Sequence, residues 1–128
     1  MPQSMSVIIW RDSVAMGDDA DAPHEWAVPL PADATVASLV TKILRKGYLA
    51  EIAGGLATWI VEGSQPVAVL AQQWSEPRWL VDSGMPVAAL RRKAGRANFE
   101  IRYWCQVAPE RVYACLREGK PLPDRYGR

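Results

Sequence analysis

Apolar residues recur at Val36, Leu39, Val40, Ile43 and Leu44, while Ser38, Thr41, Lys42, Arg45 and Lys46 fall between them. The i, i+3, i+4, i+7, i+8 spacing places the first set on one face of a helix and the second on the other. Pro31-Ala32-Asp33-Ala34-Thr35 precedes the pattern, with Asp33 or Thr35 positioned as the N-cap. Arg45 and Lys46 suit the negative end of the helix dipole, and Gly47 stands where a left-handed residue closes a helix. A helix with one apolar face must bury that face against another layer. The rest of the chain supplies strands for it.

Val7-Ile8-Ile9-Trp10 predicts a β-branched and aromatic strand, ended by the loop Gly17-Asp18-Asp19-Ala20-Asp21-Ala22-Pro23. Trp26, Val28 and Leu30 alternate over 25–30 as a half-buried strand does, so the two strands read as a hairpin. Past the Gly54-Gly55 turn, 57–62 reads as a strand, Gly63-Ser64-Gln65-Pro66 as a tight turn and 67–74 as the next strand. Val67-Ala68-Val69-Leu70-Ala71 is apolar on both faces, which predicts a central strand covered on both sides. Ser75-Glu76-Pro77 breaks it before a short edge strand over 78–81. Pro86 fits the first position of a short helix over 87–93 that Gly95 closes. Phe99, Ile101, Tyr103, Cys105 and Val107 alternate with Glu100, Arg102, Trp104 and Gln106 in a strand over 98–107. Pro109 opens a last helix to about Glu118, with Gly119 after its end, and 120–128 reads as an extended, polyproline-like tail. Residues 1–5 are set aside as a disordered start, and 6–119 are expected to form one domain.

The order strand, strand, helix, strand, strand, short helix, strand resembles the β-grasp fold of ubiquitin-like proteins. The local likeness lies in Leu30-Pro31-Ala32-Asp33-Ala34-Thr35-Val36, where a strand ends and the main helix begins, and in the short helix before the strand over 98–107. The resemblance implies an α+β fold: a mixed sheet of about five strands on one main helix, with a short helix and an added C-terminal helix. It implies no conjugation chemistry. A ubiquitin-type modifier ends in paired glycines, whereas Gly54-Gly55 is internal and this chain runs on through a helix to Tyr126-Gly127-Arg128. What the resemblance supplies is a sheet that serves as a binding platform, and that fold carries many unrelated functions.

With 128 residues, 49% of them hydrophobic and 23% charged, the chain has room for one globular domain and is too apolar for wholesale disorder. No apolar run approaches the roughly 20 residues of a membrane span, and no signal-peptide pattern opens the chain, so a cytoplasmic protein without a membrane partner is expected. Cys105 and Cys115 fit no zinc-ligand spacing and read as thiols in a reducing compartment. His24 is the one histidine and has no second ligand or base near it, so neither a metal site nor a catalytic dyad is expected, and no cofactor is implied.

The net charge of +1 conceals a division. Residues 1–33 sum to −5 and residues 78–128 to +6. Asp18, Asp19 and Asp21 form an acidic loop suited to a basic partner, without the glycine and bidentate glutamate of a calcium loop. Arg91, Arg92, Lys93 and Arg96 lead into Arg102, Tyr103 and Trp104, the pairing of cations with rings that nucleic-acid binding uses. Gln72, Trp74, Arg78 and Trp79 follow a buried strand, and alternation would carry Gln72 and Trp74 onto the face of Leu70. With six Trp and four Tyr against one Phe, the aromatic set favours residue types enriched at interfaces.

These features predict a non-enzymatic protein-binding domain, most concretely a bacterial toxin-neutralising protein of immunity or antitoxin type. Its binding residues are expected among Asp18, Asp19, Asp21, Gln72, Trp74, Arg78, Trp79, Arg91, Arg92, Lys93 and Trp104. The alternative is a nucleic-acid-binding module that uses the basic segment 91–104.

Overall fold

The computed structural model describes residues 4–12, 25–46, 49, 56–105 and 107–124. Six strands and three helices occur among them: β1 (Ser4–Arg11), β2 (Glu25–Pro31), α1 (Val36–Lys46), β3 (Thr58–Glu62), β4 (Pro66–Ala71), β5 (Arg78–Trp79), α2 (Val87–Leu90), β6 (Phe99–Tyr103) and α3 (Pro109–Glu118). The strands form one mixed sheet in the order β2-β1-β6-β3-β4-β5. β1 and β6 run parallel at its centre, and every other neighbouring pair is antiparallel. The fold is thus α+β, with one strand more than the expected five.

α1 lies across one face of the sheet. Val36, Leu39, Val40 and Ile43 are buried against Val7, Ile9, Val28, Leu30, Trp59, Val61, Leu70, Phe99 and Ile101 in one apolar core. The start of α1 is held by carbonyls from a distant segment: Val36 donates its N–H to Met85 at 2.9 Å and Ala37 to Ser83 at 3.0 Å. Thr35 is the cap, accepting the Ser38 N–H on Oγ1 at 3.2 Å. Three of the free N–H groups that open a helix are therefore satisfied.

The opposite face of the sheet is covered over one half only. There α3 and the chain after it enclose a smaller core of Ile60, Val69, Trp104 and Val112, flanked by Trp74, Leu80, Val107, Tyr113, Leu116 and Leu122. Pro109 opens α3, and Gly119 ends it in the left-handed conformation (φ 69°) that glycine adopts without a Cβ penalty. β4 is thereby covered on both sides, as its continuous apolar run requires. On the free edge of the sheet, Pro29 and Pro31 of β2 offer no N–H to a further strand, and Lys42 Nζ takes the Pro29 carbonyl at 2.9 Å.

Four elements end earlier than their sequence patterns predict, β5 among them, which spans Arg78–Trp79 instead of 78–81. β4 stops at Ala71 instead of running to residue 74, because the chain turns there: Trp74 donates its N–H to the Ala71 carbonyl at 3.0 Å. α2 ends at Leu90, and Arg91 is already extended (ψ 144°). β6 ends at Tyr103, and Cys105 has φ 55°, a left-handed conformation that breaks the alternation expected through Val107. Conversely, β1 begins at Ser4, inside the five residues set aside as a start segment.

Candidate functional site

The segment between β4 and β5 turns the corner at one end of the sheet. Gln72 and Gln73 are both exposed, so neither amide occupies the core position that strand alternation implied. The early end of β4 is the cause. Gln72 instead closes the strand end from outside, donating its N–H to the Ala57 carbonyl at 2.8 Å and accepting the Ala57 N–H on Oε1 at 3.3 Å.

Trp74 is half-buried against the smaller core, and its indole N–H meets Glu110 Oε1 at 3.4 Å. The exposed Arg78 guanidinium lies 4.3 Å from the centre of the Trp74 ring, a cation–π distance. Trp79 packs differently. Its ring belongs to the main core under α1, and its carbonyl accepts the Tyr113 hydroxyl at 3.1 Å. Trp79 is thus a structural residue, while Trp74 and Arg78 stand together at the surface.

A residue that sequence reasoning assigned to the core completes this corner. Leu44 continues the apolar stripe of α1, yet 44% of its surface is exposed, and the only other large hydrophobic so exposed among the described residues is Leu56, at 47%. Leu44 lines a cleft of about 200 Å³ together with Leu70, Ala71, Trp74, Ser75, Glu76 and Pro77. Leu44, Trp74 and Pro77 give the cleft an apolar lining and Ser75 and Glu76 a polar one, with Arg78 over the Trp74 ring beside it. An apolar centre with a polar border is an arrangement that protein interfaces share. Nothing in the sequence marks it: α1 buries four of the five apolar positions of its stripe, and only the fold shows that the fifth, at its C-terminal end, adjoins the corner.

The basic segment is organised otherwise. Arg92 Nη2 pairs with Glu62 at 2.7 Å, its Nη1 lies 3.5 Å from Glu100, and its Nε donates to the Gly63 carbonyl at 2.8 Å. Arg102 takes the other Glu62 oxygen at 3.0 Å, and Arg96 meets Glu100 at 3.4 Å. Trp104, predicted as an exposed binding ring, is buried: its indole N–H donates to the Pro123 carbonyl at 2.8 Å, and the Arg102 guanidinium lies 5.0 Å from its ring. Arg91 is partly exposed and Lys93 exposed. Arg92 and Trp104 are therefore parts of the fold, and Arg91 and Lys93 remain at the surface. Asp18, Asp19, Asp21 and His24 lie outside the described residues.

Two further pairs extend the pattern around the tryptophans. Arg96 sits 4.2 Å from the Trp10 ring, and Lys46 lies 5.3 Å from that of Trp26. Four of the six tryptophans thus carry a cation of their own chain, so much of the unusual aromatic content serves the fold itself. Among the described residues no helix is long and apolar enough to cross a membrane. No family model, curated protein or solved structure matches the chain.

Proposed function

We propose that this chain is a non-enzymatic protein-binding domain whose principal contact is the corner formed by Leu44, Trp74, Pro77 and Arg78. The observation that carries the reading is the exposure of Leu44. An apolar residue left bare at the end of an otherwise buried helical stripe, beside a half-buried tryptophan, is the kind of anchor on which interfaces concentrate their binding energy. The most concrete form of the reading is a toxin-neutralising protein, with the acidic segment Asp18–Asp21 opposing a basic partner surface. The sheet order β2-β1-β6-β3-β4, with a parallel central pair and α1 across one face, supports a β-grasp-like scaffold in which β5 and α3 are additions. Nucleic-acid binding through 91–104 is the weaker reading, because Arg92 and Arg102 are engaged by Glu62 and Trp104 is buried.

The test is affinity capture from a lysate of the native cells with three baits: the wild-type chain, L44E and W74A. Retention of one discrete protein by the wild type and its loss with both folded variants is the expected result. Equal retention by all three baits overturns the corner as the contact, and recovery of background alone across several growth conditions overturns the protein-binding reading. For the toxin version, the captured protein expressed by itself must arrest growth, and co-expression of this chain must restore it.

A further inference from the structure

The loop 91–98 joins α2 to β6, and it is pinned far more firmly than a solvated connection requires. Arg92 donates its backbone N–H to the Asn98 carbonyl at 2.9 Å, and the Asn98 side-chain amide returns a bond to the Arg92 carbonyl at 2.7 Å. Asn98 also accepts the Ile8 N–H on Oδ1 at 2.8 Å and donates its own N–H to the Ile8 carbonyl at 2.8 Å. One asparagine thus closes the loop and ties it to β1. On the other side, the Arg92 guanidinium reaches Glu62 and the Gly63 carbonyl. Ser64 donates its N–H to the Leu90 carbonyl at 2.7 Å. This approach needs glycine at 63: a Cβ there would stand 2.2 Å from the Leu90 oxygen and 2.7 Å from the Phe99 ring.

What this framework presents is charge. Arg92 points inward as part of the clamp, while Arg91, Lys93 and Arg96 are set around a tip turned by Gly95 at φ 96°. Among the described residues neither the Arg91 nor the Lys93 side chain has an acidic partner. Arg96 shares Glu100 with Arg92 and keeps 56% of its side chain exposed. Three cations thus project from a loop whose backbone is held in place, which lowers the entropy that the loop loses when an anionic partner is bound.

We propose that this tip is a second contact of the protein-binding domain, one that receives an acidic segment of a protein partner. The proposal deepens the protein-binding reading and rests on it. The choice of an acidic polypeptide over a nucleic acid follows from the rings. Single-stranded nucleic acid gains affinity by stacking bases on open aromatic faces. The nearest rings here are already engaged, Trp10 by the Arg96 guanidinium and Trp104 by burial together with Arg102. Three cations without a free ring match the carboxylates of an acidic peptide.

The test uses the purified full chain, so it is separate from capture at the corner. A decameric glutamate peptide and a single-stranded oligonucleotide of equal charge are titrated against it at low salt, with backbone amide shifts recorded. The expected result is peptide binding that shifts residues 91–98, weakens at least tenfold in K93E/R96E, and falls steeply with added salt. N98A retains every charge and releases the clamp; it is expected to weaken binding about threefold with an unchanged salt slope. Absence of peptide binding, shifts confined to other residues, tighter binding of the oligonucleotide, or undiminished binding by folded K93E/R96E each overturns the proposal. If the peptide binds as expected but lysate capture fails at the corner, only the corner reading falls.

Discussion

The two faces of the sheet are built on different principles. Beneath α1, Val7, Ile9, Val28, Phe99 and Ile101 close with Val36, Leu39, Val40 and Ile43 into one continuous apolar core whose members are almost wholly withdrawn from water. On the other face, a core of four buried residues under α3 gives way to the chain of charges Arg102–Glu62–Arg92–Glu100–Arg96. The apolar face gains stability in proportion to buried area. The charged face gains less per contact, because partly exposed ion pairs are screened and must repay desolvation and side-chain entropy. What it gains instead is position. Glu62 and Glu100 fix three arginines, and through Arg92 they fix the loop that presents Lys93. One face holds the molecule together; the other sets which charges it shows to solvent.

Four substitutions test that division, beginning with the largest expected effect. Phe99→Ala empties the middle of the main core and is expected to cost about 3–5 kcal/mol by denaturant unfolding. Val112→Ala removes two methyl groups from the smaller core and is expected to cost about 1.5–3 kcal/mol. A larger loss for Val112→Ala than for Phe99→Ala would reverse the ranking of the two faces. Glu62→Gln removes the charge shared by Arg92 and Arg102, with an expected loss of about 1 kcal/mol that shrinks as salt rises. A loss that does not respond to salt would place the role of Glu62 in packing. The smallest effect is at Tyr103, where burial, and secondarily the charge of Cys105, pushes the hydroxyl above its ordinary 10.0. The unfolded chain releases this proton first, so the Tyr103 contribution is complete below pH 10 and is lost as pH rises from there through the raised folded value. Tyr103→Phe should therefore flatten the decline of stability above pH 10, and an unchanged decline would remove Tyr103 as its source.

The main face was far more legible in the sequence than the other. The α1 stripe, the alternation of β2 and the Phe99-Ile101-Tyr103 pattern depend on local spacing, and each specifies which side of its element is buried. The back face depends on pairs that are distant in sequence. Glu62 meets Arg92 across 30 residues, and Trp104 is covered by a carbonyl 19 residues later. Periodicity contains no such information, so Arg92 and Trp104 resembled exposed binding groups. The corner was half legible. Gln72, Trp74 and Arg78 stood out by composition, but Leu44 was concealed, because a helical stripe does not reveal where its covering layer ends. Alternation also misplaced Gln72, since it assumes that the strand continues past Ala71.

Hydrogen exchange on the chain alone and with the captured protein bound separates a main face that stabilises from a corner proposed to bind. Added protection is expected at Leu44 and across 72–78, and at 91–98 where the second contact is engaged, with the slow exchange of β1, β6 and β3 unchanged. Added protection absent from the corner and concentrated instead on the outer side of α1 or on the β2 edge would contradict this separation.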